Sequence, residues 1–386
     1  MKFTFNVSPN LRQQQSTKRI MFELMLGLAV VYLFSLVYYF AEYGSSYALQ
    51  DVMLLLVSLV VALITESVFA LVLKKEVKKY LSGSFGWITA IILTMMCTID
   101  ISPYALGVST FFCIFFGKLL FGGFGNNIFN PAAFGRAVVF NAFVGATTNV
   151  VTSATPLTVL ATTFSWLPGS ESAITQMMDS VGGLGTLFTG WYAGAIGETS
   201  ALLILIVGAV LAYRQVIDWR VPVVYLGAIF VFTAIIAAFC GIGSYNGLPG
   251  FIWYPLVHLL SGGVVFGAVF MLTDPVTSPT SAQGRVLFAL GAAILTVLIR
   301  MKANLPEGCL FSILIMNMLT PLIESAMDGK QLVIRNRARK AFAGLAIIGI
   351  AVTLLASSTI TPVTEVSSSA SSNATAEVQE NGGNGE

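Results

Sequence analysis

Long apolar runs separated by short polar intervals fill most of this chain. Runs near 20–40, 52–73, 87–101, 104–121, 134–150, 192–213, 221–240, 251–272, 286–301, 308–325 and 341–359 each approach the roughly 20 residues that a helix needs to cross a bilayer. The pattern predicts an all-α polytopic membrane protein with about ten core transmembrane helices and one extra C-terminal helix. A transmembrane barrel would instead show short alternating strands. Two stretches cannot continue as regular helix. One is Gly122 to Arg136, which holds Gly122, Gly123, Gly125, three asparagines and Pro131; the other is Thr273 to Arg285, which holds Pro275 and Pro279. Glycine and proline are the poorest helix formers, so both stretches are expected to be broken or half helices. Each ends in Gly-Arg after a polar-Pro-small-small sequence, a weak internal similarity.

Composition agrees with the pattern. The chain is 56% hydrophobic and 10% charged, against about 25% charged in an ordinary soluble domain. Membrane lipid is therefore the expected surrounding, and no nucleic-acid partner is expected. The net charge of +2 says little, but its distribution says more. With eleven alternating spans and a cytoplasmic N-terminus, every Lys and Arg except Arg300 and Lys302 falls in a cytoplasmic loop, Lys118 and Arg136 included, as the positive-inside rule requires. That orientation places the segment 151–191 and the C-terminal tail outside a bacterial inner (cytoplasmic) membrane. The expected organisation is a cytoplasmic arm over 1–19, a transmembrane domain over 20–330 and an extra helix within 331–361. A Ser-, Asn- and Glu-rich tail over 362–386 has no apolar face to bury and is expected to be disordered. The polar stretch before the first apolar run, and the lack of a small-residue cleavage site after it, argue against a cleavable signal peptide.

Few residues name a chemistry. Cys97, Cys113, Cys240 and Cys309 form no CxxC pair and read as small buried hydrophobes. His258 is the single histidine and cannot build a metal site alone; it reads as a hydrogen-bonded helix residue. Ionisable groups within lipid are costly and usually paired or functional. Glu66, in the second span, is a candidate on an ion pathway, with pairing to a basic residue as the rival reading. Asp274, at the second break, is a candidate Na+ ligand, because Asp-Pro-Val-Thr-Ser offers several hard oxygens together. Asp100 and Glu198 lie near the span ends, where solvation is the simpler reading. Thr152-Ser153-Ala154-Thr155-Pro156-Leu157 is a hydroxyl-rich polar interval, which composition alone reads as a loop. Pro156 biases Thr155 toward an extended backbone that would present its hydroxyl outward.

The spelling of that interval resembles the sequence in which flavin mononucleotide is esterified to threonine, Asp-x-x-Ser/Thr-Gly-Ala-Thr. Here it reads Asn149-Val150-Val151-Thr152-Ser153-Ala154-Thr155, with Asn149 in place of the Asp and Ser153 in place of the Gly. Together with Ser8-Pro9-Asn10, the Gly122 to Arg136 stretch with Phe129-Asn130-Pro131-Ala132, and Thr273-Asp274-Pro275-Val276-Thr277-Ser278-Pro279, it makes the chain resemble the NqrB/RnfD family over roughly residues 5–330. The family usually has Ser-Pro-His where this chain has Asn10. The resemblance implies one member of the six-subunit Rnf complex, an ion-translocating ferredoxin:NAD oxidoreductase. The other Rnf subunits (A, B, C, E and G) would be its partners, and electrons would arrive from the covalent FMN of RnfG. It also implies that Thr155, flanked by Thr152, Ser153 and Ala154, carries covalent FMN installed by a flavin transferase. Electron flow would be coupled to transport of Na+ or H+. Related subunits also hold a non-covalent riboflavin, for which Gly122, Gly123, Asn126, Asn127 and Asn130 are the candidate pocket residues; the rival reading is that they only close a helix break.

Two other functions fit parts of this pattern. A subunit of the sodium-pumping NADH:quinone oxidoreductase shares the family, although this chain is shorter at its N-terminus than that subunit usually is. A flavin-free channel or secondary transporter would also show broken helices and polar residues at membrane depth. Covalent flavin discriminates between these classes.

Overall fold

The computed structural model describes residues 16–143, 160–161, 163–192, 194–303, 308–329, 331–360 and 362–363. Among these the architecture is all-α, and the only β-type pairings are isolated bridges such as Thr98 with Ala195. Helices α1 (Thr17–Tyr43) and α2 (Ser45–Val72) form an antiparallel pair reversed at Gly44, whose φ of +85° suits glycine. Ser16 caps α1 by accepting the Arg19 N–H at 3.3 Å. A short polar helix, α3 (Val77–Ser84), leads into α4 (Gly86–Met95) and α5 (Pro103–Ile114). Ser102 and Pro103 start α5, pairing a side-chain cap with proline at the first helical position. After α6 (Pro131–Ala142) come two short helices, α7 (Glu171–Ser180) and α8 (Gly183–Thr189). The second half comprises α9 (Ala201–Tyr213), α10 (Arg220–Cys240), α11 (Gly250–Leu260), α12 (Val264–Phe266), α13 (Ala282–Lys302), α14 (Gly308–Ala326) and α15 (Gln331–Ser358).

The core is built in two halves. In the first, α2 packs on α4 and α5, and α5 on α6; in the second, α10 packs on α11 and α13, and α13 on α14 and α15. The halves join where α1 meets α9 and α6 meets α14. Six helices among the described residues are long and apolar enough to cross a membrane: α1, α2, α10, α13, α14 and α15. A seventh candidate is α11 with α12 and its continuation to Met271, bent by 70° as in a broken span or a re-entrant loop. A multi-pass membrane protein is thus the fold, as the hydropathy pattern predicts.

The pattern overstates several spans. The predicted 87–101 span is helical only to Met95, the predicted 192–213 span only from Ala201, and the predicted 251–272 span is broken at residues 261–263. The helix expected over 134–150 starts at Pro131 and ends at Ala142, and residues 144–159 lie outside the described set. Hydropathy counts apolar residues and is blind to where a carbonyl finds another partner. Where α4 ends the freed backbone is paired by the segment before α9, through Ile196 N–H to Cys97 O at 2.9 Å and Gly197 N–H to Met95 O. A Cβ on Gly197 would lie 2.7 Å from the Met95 Cβ and 3.0 Å from the Phe266 ring, so only glycine passes between the two broken helices. Between α11 and α12 the Arg300 guanidinium donates to the carbonyls of His258 and of Ser261, the latter at 2.9 Å. Irregular backbone at membrane depth is tolerated where protein groups satisfy it in this way.

Arg300, Lys118 and Arg136 correct the charge reading. All three are buried within or against helices and are not loop residues. Arg300 stacks 5.1 Å from the Trp166 ring centroid, and Arg136 lies 4.1 Å from that of Phe140. His258 stacks on Trp166 at 4.6 Å, and neither ring nitrogen has a hydrogen-bond partner among the described residues, so aromatic packing replaces the expected hydrogen bond.

Candidate functional site

Both interrupted stretches are built alike. The helix before each break ends in a π-helical turn, Phe115–Leu119 and Gly267–Met271 respectively, and the helix after each begins at a side-chain cap, Asn130 or Ser281. A π turn inserts one residue and re-aims the side chains beyond it, a device common at functional sites. In the first break Gly122, Gly123 and Gly125 have φ of +107°, +92° and +94°, conformations costly for any other residue. Asn130 accepts the N–H groups of Ala132 and Ala133, with Pro131 at the first helical position.

The two breaks meet. Asn130 donates its side-chain amide to Met271 O at 3.3 Å, and its backbone N–H to Asn317 Oδ1 on α14 at 3.0 Å. Asn317 Nδ2 reaches Thr277 O at 3.5 Å, and the Thr320 hydroxyl bonds the same carbonyl at 2.9 Å. Between the breaks opens a cleft lined by Lys118, Phe124, Asn127, Asn130, Thr273 and Asp274. Met21 of α1 and Val216 after α9 also line it, so it lies at the end of the bundle where α1 begins.

Lys118 is the cationic side chain that lines this cleft. Its ammonium lies 3.1 Å from Glu66 Oε1, and both side chains are about 98% buried or more. The Lys118 ammonium also donates to Ser84 O, and the Ser84 hydroxyl donates to the same Glu66 oxygen. A Cβ on Gly86 would lie 2.2 Å from Glu66 Oε1, so glycine at the start of α4 leaves room for the carboxylate. Glu66 is thus held by a basic residue, and that residue faces the cleft. Asp274 Oδ1 accepts the Val276 N–H and Oδ2 the Thr277 hydroxyl, both at 3.2 Å. Among the described residues no group of three or more His, Cys, Asp or Glu is arranged for a metal.

The asparagines are occupied by the fold. Asn126 donates to Gly122 O at 3.5 Å and Asn127 to Phe129 O at 3.0 Å, in addition to the bonds of Asn130. Gly122 and Gly123 shape the turn, with the Asn126 side chain and the Tyr80 hydroxyl as their respective neighbours. Thr152, Ser153, Ala154 and Thr155 lie outside the described residues. Asp100 sits in the turn between α4 and α5, and Glu198 is buried in the segment before α9. Cys97, Cys113 and Cys309 are buried and Cys240 half-buried, and none of them is in a disulfide.

Sequence reasoning misses several of these residues. The charge pattern assigns Lys118 to a loop, although its place in an apolar run before the glycines is a signal of burial. Asn317, in Ile315-Met316-Asn317-Met318, reads in the sequence as one polar residue in a span. Asp51 sits one residue before a predicted span but lies buried in α2, facing the Tyr32 hydroxyl.

Comparison with known proteins agrees with this architecture. The profile of the NQR2, RnfD, RnfE family matches residues 4–332. The chain is 33% identical over 337 residues to the D subunit of the proton-translocating ferredoxin:NAD(+) oxidoreductase complex of Clostridium ljungdahlii, covering 83% of this chain and 93% of that one. It is 34% identical over 325 residues to the D subunit of the Na(+)-translocating ferredoxin:NAD(+) oxidoreductase complex of Acetobacterium woodii, covering 84% and 93%. The B subunit of the Na(+)-translocating NADH-quinone reductase of Chromohalobacter salexigens is 36% identical over 243 residues, covering 60% and 55%. With a family match across most of its length and long alignments to D-type subunits, the chain belongs to the NQR2, RnfD, RnfE family and is of the RnfD type.

Proposed function

We propose that this chain is the D subunit of an ion-translocating ferredoxin:NAD oxidoreductase of the Rnf kind, and that it carries covalent FMN on Thr155. The observation that carries the reading is the near full-length similarity to two such D subunits, each covered to 93%. The quinone-reductase subunit is matched over only 55% of its length and is the weaker alternative. The positive-inside pattern supports a cytoplasmic N-terminus and an outward-facing Thr155 in a bacterial inner membrane.

FMN would supply one- and two-electron redox chemistry, while the chain supplies position, insulation and polarity. The Thr155 hydroxyl would be the phosphoester anchor, with Thr152, Ser153 and Ala154 leaving a flavin transferase room to approach. The cleft between the breaks is chemically suited to a second, non-covalent riboflavin. Phe85 and Phe124, with ring centroids 5.1 Å apart, give it aromatic walls, and Lys118 and Asp274 offer a donor and an acceptor at its polar end. Because Asn126, Asn127 and Asn130 already bond the backbone, their amide N–H groups hold the pocket's shape, and Lys118 is the donor facing its interior.

The ion, Na+ or H+, is the transported substrate. Asp274 and Glu66 are the carboxylates placed to meet it, one on the cleft wall and the other behind Lys118. Deleting this subunit from its host should abolish ferredoxin-driven NAD reduction by membranes, and complementation should restore it. Unchanged activity in the deletion strain would refute the assignment, and a quinone-reducing defect in its place would favour the alternative.

A further inference from the structure

The family match ends at residue 332, where α15 begins. This helix is therefore an addition to the shared core, and the way it docks creates a feature that the core lacks. Near its start α15 is fastened by a small apolar cluster of Leu287, Met327 and Ile334. Beside that cluster α13 and α15 diverge to leave an open groove of about 600 Å³.

The groove has a basic mouth and an apolar floor. Arg335 and Arg339, four residues apart on one face of α15, line it together with Arg220 at the first turn of α10. Val286, Leu287 and Phe342 form the floor, and among the described residues no acidic one lines the groove. Arg335 and Arg339 have no ion pair or side-chain hydrogen bond among the described residues. The Arg220 guanidinium lies 5.7 Å from the Trp219 ring centroid and makes a long contact to Asp218, at 3.5 Å, while Arg285 holds that carboxylate at 2.8 Å. Two guanidinium groups without an ion pair among the described residues and a third that shares its carboxylate with Arg285 thus line one groove.

Their depth narrows the choice of counter-ion. Arg220 opens the span Arg220–Cys240, and Arg335 and Arg339 lie in the first turns of the apolar stretch Val333–Ser358. The guanidinium groups therefore sit where spans begin, at the boundary between water and lipid, and the apolar floor runs from there into the membrane. Guanidinium groups bind phosphate oxygens in bidentate geometry, and the N-termini of α10 and α13 add positive potential at the same place. Basic pockets between transmembrane helices bind anionic headgroups in this manner.

We propose that the groove between α13 and α15 is a binding site for an anionic phospholipid. Arg220, Arg335 and Arg339 take the phosphate, and an acyl chain lies along Val286, Leu287 and Phe342. A zwitterionic lipid would bring an ammonium group to a mouth lined by three arginines, so phosphatidylcholine is disfavoured. The inference rests on this groove alone and is independent of the flavin reading.

The test is native mass spectrometry of the purified, detergent-delipidated membrane protein, titrated with phosphatidylglycerol or phosphatidylcholine. Phosphatidylglycerol should bind preferentially, and its affinity should fall about 5-fold for Arg335→Gln or Arg339→Gln and about 25-fold for the pair. Lys340→Gln, on the same helix but outside the groove, should leave the affinity within about 2-fold. Arg335→Lys with Arg339→Lys should retain much of the preference, which separates loss of charge from loss of folding. Equal binding of the two lipids would overturn the proposal, as would an unchanged affinity in the double Gln variant. Inorganic phosphate displacing the lipid at equal concentration would mean an anion site that does not read the acyl chain, and would overturn the lipid assignment. Loss of phosphatidylglycerol binding on adding an acidic peptide from a partner protein would show a protein interface instead.

Discussion

Glu66 on α2 and Lys118 in the π turn after α5 form a buried ion pair at 3.1 Å on the wall of the cleft between the two broken helices. Taking both charges out of water is costly, and removing one partner leaves the other buried without compensation. Lys118→Met should therefore destabilise the protein by about 3–5 kcal/mol. The double variant Lys118→Met with Glu66→Gln should lose less than the two single variants together. Thermal unfolding of the detergent-purified protein measures both, and strict additivity would mean that the pair is not coupled.

Gly86 makes room for that pair, since a Cβ there would lie 2.2 Å from Glu66 Oε1. Gly86→Ala should cost about 1–3 kcal/mol through overpacking. The cost should shrink in a Glu66→Ala background, where the clashing atoms are gone. An equal cost in both backgrounds would place the strain elsewhere.

Asn317 links the breaks by accepting the Asn130 N–H at 3.0 Å and donating to Thr277 O. Asn317→Leu keeps the branched shape of the side chain but leaves the Asn130 N–H without its acceptor, at a cost of about 1–3 kcal/mol. Protection of that amide in hydrogen exchange should fall in the variant. Unchanged protection would mean that a different group satisfies it.

How much of this is legible in the sequence differs between fold and site. The membrane class follows from the apolar runs, and both breaks follow from Gly122-Gly123 and Pro131 and from Pro275 and Pro279, because backbone chemistry is local. The early ends of α4 and α11 and the late start of α9 do not follow. They depend on Ile196, Gly197 and Arg300, which pair with backbone groups far away in the sequence. The site is legible only in part for the same reason. Asp274 and Asn130 stand in recognisable motifs, whereas Lys118 reads as a loop charge because its partner Glu66 lies 52 residues earlier.

Asp218, in the loop after α9, ties that loop to α13 and α10 through Arg285 at 2.8 Å and Arg220 at 3.5 Å. Partial burial raises its pKa, but the hydrogen bond from Arg285 and the positive charges outweigh it, so the carboxyl titrates below its ordinary value. A depressed folded pKa stabilises the fold above the unfolded value, near 3.9, and that stabilisation is lost as pH falls through the folded value. Asp218→Asn should thus lower stability by about 1 kcal/mol near neutral pH. The difference from wild type should close below about pH 4. Unfolding curves at several pH values measure this, and a gap that widens on acidification would reverse the sign of the argument.

Covalent flavin on Thr155 is the claim on which the electron-transfer role rests. The most direct measurement is in-gel fluorescence of the denatured subunit after co-expression with its flavin transferase, comparing wild type with Thr155→Val and Thr152→Val. The expected result is a fluorescent band in wild type and in Thr152→Val that disappears in Thr155→Val, with a mass difference equal to FMN less water on the peptide carrying Thr155. A wild-type band without fluorescence, or fluorescence that survives Thr155→Val, would contradict it.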